Sequence, residues 1–118
     1  MNEEDLKRRT RQFALRIIRL VQALPKGRVP DVIGGQLLRC GTSVGANYRA
    51  ACRAKSAADF VAKIAIVEEE LDESVYWMEL LIEAGLVKAQ RLGALLKEAD
   101  ELLAISVSSI KTMRRRRG

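Results

Sequence analysis

Apolar residues recur along this chain at helical spacing in four stretches separated by short breaks. In the first, over about residues 5–24, Leu6, Phe13, Ile17, Leu20, Val21 and Leu24 fall on one face. Arg8, Arg11, Arg16 and Arg19 fall opposite. The run from Pro25 to Pro30 ends that helix and makes a short connector. Asp31 then reads as the N-cap of a second helix reaching Arg53, with Ile33, Leu37, Cys40, Val44, Tyr48 and Ala51 as its core stripe. Ser56 and Asp59 have the form of a capping box opening a third helix. Its long stripe is Phe60, Ile64, Val67, Leu71, Val75, Met78 and Ile82, and Gly85 stands where a helix-stopping C′ residue belongs. The fourth helix runs from Lys88 to about Thr112 on Leu92, Leu95, Leu96, Ala99, Leu102, Leu103, Ser106, Ile110 and Met113. Long helices joined by short loops pack as antiparallel neighbours, so the pattern predicts an all-α, up-down-up-down four-helix bundle. Residues 1–113 make the bundle domain and residues 114–118 a frayed basic tail.

Polar residues interrupt this scheme in one place. Gln36, Arg39, Ser43 and Asn47 run along one edge of the second helix's stripe, and Glu70 and Glu73 answer them on the third, bracketed by Ile66, Trp77 and Leu81. An unpaired buried charge costs several kcal/mol, so these residues are expected to be buried and to pair. Arg39 is expected to fork onto one carboxylate, with Ser43 and Asn47 satisfying the rest. Its loss should therefore destabilise the fold strongly, and Trp77 should lie in the core. Gly35, Gly41 and Gly45 each cost up to about 1 kcal/mol in a helix interior. Close approach of another helix, from this chain or a neighbouring one, would explain them.

Composition narrows the chemistry. The chain has 118 residues and no histidine, which removes the commonest general base and metal ligand. Cys40 and Cys52 share one predicted helix at a separation of roughly 18 Å, too far for a disulfide within the chain. Reduced, cytoplasmic thiols are the expectation. The acidic N-terminus lacks the apolar stretch of a signal peptide, and no run is apolar enough to span a membrane. The net charge of +6 is unevenly spread: +5 over residues 1–28, +3 over 29–55, −7 over 56–110 and +5 over 111–118. That polarity suits an anionic partner, a complementary copy of the chain, or both.

The stretch Gln36-Leu37-Leu38-Arg39-Cys40-Gly41-Thr42-Ser43-Val44-Gly45-Ala46-Asn47 resembles the first motif of the four helix bundle protein family. That family includes proteins encoded by intervening sequences within large-subunit ribosomal RNA genes. Glu70-Leu71-Asp72-Glu73-Ser74-Val75-Tyr76-Trp77-Met78-Glu79-Leu80-Leu81 resembles its second motif. The chain departs from the pattern at Ser74 and Met78, both mildly, and at Arg49, where many members carry an acid. The resemblance implies a bacterial, cytoplasmic, all-α protein that assembles as a ring-like homopentamer, in a family most of whose members have no established activity. A related branch, the accessory protein of diversity-generating retroelements, binds nucleic acid and a reverse transcriptase. By analogy, DNA or RNA and such a protein become expected partners.

An acid/base role for Glu70 and Glu73 is weighed against a structural one, and the structural one is preferred, because an arginine beside a carboxylate makes it a worse base. Cys40 sits mid-helix in an apolar stripe and reads as a small core residue rather than a nucleophile. No phosphate loop, metal spacing or nucleophile elbow is present, so no catalytic, metal or cofactor site is expected. The arginines offer more. Arg8, Arg11, Arg16, Arg19, Arg49 and Arg53, with Arg114, Arg115, Arg116 and Arg117, are the candidates for phosphate contact without sequence specificity. The alternative is a protein-interaction scaffold that binds no nucleic acid. No membrane association is expected, because the bundle needs the apolar face of the first helix.

Overall fold

The structure is a computed structural model describing residues 2–117, except for the side chain of Arg117. Four helices account for it: α1 (Glu3–Gln22), α2 (Arg28–Cys52), α3 (Ala57–Glu83) and α4 (Ala89–Arg117). They form an elongated antiparallel bundle of 49 × 22 × 21 Å, with no strand among the described residues. The predicted stripes meet along its axis. Phe13, Ile17, Leu37, Val44, Ile64, Leu71, Met78 and Leu81 are wholly or almost wholly buried, joined by Leu92, Ala99 and Leu102 of α4.

Each helix end has a local cause. Asn2 caps α1: its side chain accepts from the Asp5 backbone N–H at 2.9 Å, and the Asp5 carboxylate reaches back to the Asn2 N–H. At Ser56 only half of the expected box forms. Ser56 Oγ accepts from the Asp59 N–H at 3.1 Å, while the Asp59 carboxylate accepts from the Lys55 N–H at 3.0 Å. Gly85, at φ +74°, ends α3 in a Schellman turn, with Leu86 N–H donating to Leu81 O and Gly85 N–H to Ile82 O.

Two boundaries differ from the sequence reading. The helix α2 begins at Arg28, three residues before Asp31, with Gly27 at its N-cap in a φ +148° conformation that favours glycine. Pro30 then falls in the first turn, where a missing N–H costs nothing, so Asp31 stabilises the turn by charge rather than capping it. At the other end, Arg114–Arg117 continue α4 as helix instead of fraying away from it.

The helices do not meet equally. The helix α1 lies tightly against α2 because glycines line the contact. A Cβ on Gly41 would come within 2.9 Å of Ile17 side-chain atoms, one on Gly34 within 3.0 Å of Leu24, and one on Gly45 within 3.3 Å of Thr10. Gly35 does not share this role; nothing lies within 4 Å of its Cβ position. The seam between α1 and α4 is the thinnest of the bundle. Arg9 bridges it, with Nε and Nη2 on Glu98 at 2.9 and 2.6 Å and Nη2 on Glu101 at 3.1 Å.

The glycines can be told apart by substitution. Gly41→Ala should destabilise by about 1–3 kcal/mol before its helix-propensity gain, because Ile17 is fully enclosed and cannot yield. Gly35→Ala, facing open space, should stabilise by up to about 1 kcal/mol. Urea unfolding of the two variants checks both signs.

Candidate nucleic-acid interface

Antiparallel packing brings the start of α1, the end of α2, the start of α3 and the end of α4 to one end of the bundle. There Glu3, Tyr48, Cys52, Lys55, Phe60 and Met113 line one depression. Arg8, Arg11, Arg49, Arg53 and Arg114–Arg116 belong to the helix segments at this end, and all are exposed. The side chain of Arg117 lies outside the described residues. Acids at this end are already engaged, and one of them takes Arg8 out of the free set. Glu3 and Glu4 hold Lys7 at 3.1 and 3.6 Å, Asp5 holds Arg8 at 2.9 Å, and Asp59 holds Lys63 at 2.6 Å. Among the described residues, Arg11, Arg49, Arg53 and Arg114–Arg116 form no ion pair, which leaves their guanidinium groups available to an external anion.

Two of them are brought together by packing. Arg11 on α1 and Arg49 on α2 flank a cleft of about 230 Å³ that also has Lys7, Thr10, Thr42 and Gly45 in its walls. The cleft follows from Gly45: the missing side chain lets Thr10 approach, and Thr10 Oγ1 turns inward to donate to Leu6 O at 2.8 Å. Arg16 and Arg19 are not part of this set. They lie farther along α1, at the opposite end of the bundle, beside Arg91 of α4. Arg91 escaped the sequence reading because it sits in the acidic −7 stretch and only the turn after α3 folds it back towards α1.

The polar row proves to be a surface feature. Arg39 joins α2 to α3, donating from Nη1 to Glu70 at 3.3 Å and from Nη2 to Glu73, while its Nε faces Gln36 Oε1 at 3.5 Å. Its side chain is nevertheless 52% exposed, against 14% for Glu70 and 34% for Glu73. The expectation of burial is corrected on this point, because the row lies at the outer lip of the α2–α3 contact rather than beneath it. Arg39 thus divides between two carboxylates instead of forking onto one, and neither Ser43 nor Asn47 satisfies them as expected. Asn47 Nδ2 donates to Ser43 Oγ at 2.7 Å and Ser43 O at 2.9 Å, within α2. Trp77, expected in the core, is only half-buried, and its Nε1 donates to Glu73 at 3.1 Å. That bond, with the Arg39 guanidinium beside it, holds the Glu73 carboxyl below the usual carboxylate range. An ionised, doubly engaged carboxylate is a poor proton acceptor.

The remaining candidate chemistry is closed. Cys40 is fully buried, with its thiol against Leu37 O at 3.5 Å and Ser74 Oγ at 3.3 Å, and burial pushes its pKa up. Burial likewise raises the Cys52 thiol. Among the described residues no cluster of cysteines and carboxylates is arranged to hold a metal ion. None of the described helices is long and apolar enough to cross a membrane.

The molecule is thus an all-α bundle with a basic end and a surface ion-pair lattice. The chain belongs to the 23S rRNA-intervening sequence protein family, whose model matches residues 2–108. It is also similar to a crystal structure from Bacteroides thetaiotaomicron, described as a protein of unknown function from the S23 ribosomal protein family. The two are 35% identical, with a TM-score of 0.87, and the match covers 94% of this chain and 99% of that one. No curated protein matches significantly.

Because Arg39 is half-exposed, Arg39→Ala should lower the melting temperature only slightly. The loss should be far smaller than for Leu71→Ala, a core truncation that should cost about 2–5 kcal/mol. The Glu73 carboxyl has the opposite dependence on acid from a buried base. Its folded pKa is depressed, so its contribution is present at neutral pH and is lost as pH falls below the ordinary value of 4.5. Glu73→Gln should therefore flatten the acid limb of the stability–pH curve measured by thermal melts.

Proposed function

We propose that the protein is a non-catalytic, oligomeric bacterial scaffold that binds nucleic acid by its phosphates, without sequence specificity. The observation that carries this reading is the gathering at one end of the bundle of arginines without an ion pair among the described residues, with Arg11 and Arg49 lining one cleft. Guanidinium groups free of internal acids pair with phosphate in a forked geometry. The site has no exposed row of aromatic rings on which bases would stack, so the reading commits to backbone contact alone.

Self-association, as a pentamer by resemblance, belongs to the same proposal. It is supported by the outer α2–α3 face, where Val32 is 59% exposed, Tyr76 55% and Ile66 40%, around the Arg39–Glu70–Glu73 lattice. The alternative, a protein-docking scaffold without nucleic acid, rests on those same exposed apolar residues.

Titration of labelled duplex and single-stranded DNA and RNA at several salt concentrations, with the assembly mass measured in the same buffers, separates the two. Affinity for duplex DNA should fall log-linearly with salt at a slope of about −0.9 per phosphate contact. Arg11→Gln with Arg49→Gln should reduce that slope by about two, and removing residues 114–118 should reduce it further. A well-formed oligomer that binds nothing at low salt would leave the docking scaffold as the reading.

A further inference from the structure

At the end of the bundle away from the arginine cluster, the α1–α4 seam opens into a pocket of about 280 Å³. Its floor is aliphatic, built from Leu20 and Leu24 of α1 and Leu92 and Leu95 of α4, with Leu86 and Val87 of the turn between α3 and α4 also lining it. Its rim carries three arginines: Arg16, half-buried, and Arg19 and Arg91, both exposed. None of the three has an ion-pair partner among the described residues.

An aliphatic floor beneath three unpaired guanidinium groups is a poor seat for a nucleic-acid backbone. A sugar–phosphate chain offers only the small faces of its sugars, interrupted by phosphates, to cover leucines, and the pocket has no ring on which a base would stack. Nor does it suit a neutral apolar molecule, which would leave the three cations unanswered. The two halves are satisfied together by one ligand chemistry. We propose that this pocket takes a single small amphiphile, an aliphatic chain ending in a carboxylate or phosphate, with the tail on the leucines and the head between Arg16, Arg19 and Arg91. The volume lies just below the range of roughly 300–1,000 Å³ typical of small-molecule sites, which limits the tail to medium length. Because Arg9 clamps the seam farther along, the tail enters from the open end.

The test is calorimetric titration of the full chain with octyl phosphate below its micelle concentration. Inorganic phosphate serves as the head alone and octyl glucoside as an uncharged amphiphile. Octyl phosphate should saturate at one molecule per chain, and neither control should compete with it. Arg91→Gln should weaken it about tenfold, the loss of one charge-assisted contact, and Arg19→Glu by more. Both residues are exposed, so both variants should keep the parental melting temperature. Arg11→Gln with Arg49→Gln should leave octyl phosphate affinity unchanged, which separates failure here from failure of the nucleic-acid reading. The proposal is overturned if inorganic phosphate or the glucoside binds as tightly, if Arg91→Gln has no effect, or if no saturable binding occurs. It is equally overturned if the protein sediments with phosphatidylglycerol vesicles yet ignores monomeric octyl phosphate, since that result assigns the arginines to a membrane surface.

Discussion

The closeness of α1 to α2 shapes the rest of the molecule. Gly34, Gly41 and Gly45 strip one side of α2 of side chains, and Leu24, Ile17 and Thr10 of α1 fill the space they leave. With α1 seated that deeply on α2, its opposite flank is only lightly engaged by α4, and Arg9 with Glu98 and Glu101 bridges the gap. Both clefts lined by arginines follow from this asymmetry. One lies over the tight α1–α2 contact, where Gly45 leaves a recess, and the other opens where α1 and α4 part.

Most of the architecture was readable in the residue pattern. The four stripes, the stop at Gly85 and the antiparallel order follow from helical periodicity and short loops, which are local properties. Two of the three glycines singled out do admit a neighbouring helix, while Gly35 meets no other helix of its own chain. The start of α2 was misread because Pro25 and Pro30 look alike in sequence, yet only Pro25 breaks a helix. Pro30 sits in a first turn, where its ring is harmless.

The polar row taught a different lesson. That Arg39 would meet the carboxylates of α3 was legible from opposite charges at matching spacing, whereas the turn of Ser43 and Asn47 towards each other within α2 was not. The depth of the row was not legible either, because burial depends on how far two helices roll about their axes, and a rotation of a few tens of degrees moves a row from the interior to the lip. The same limit hid Arg91 and Arg9. Each acts across the α1–α4 seam, between segments more than seventy residues apart, and no local spacing announces such a meeting.

One boundary carries a consequence for recognition. Because α4 stays helical to Arg117, its terminal arginines are spokes on a stiff rod instead of beads on a loose thread. Successive residues on such a rod point about 100° apart, so Arg114, Arg115 and Arg116 sweep more than half a circle. A flat anionic sheet would meet only some of them. An anion that engages all three must embrace the rod from two sides, as the walls of a groove do, or else be two separate strands held a helix diameter apart.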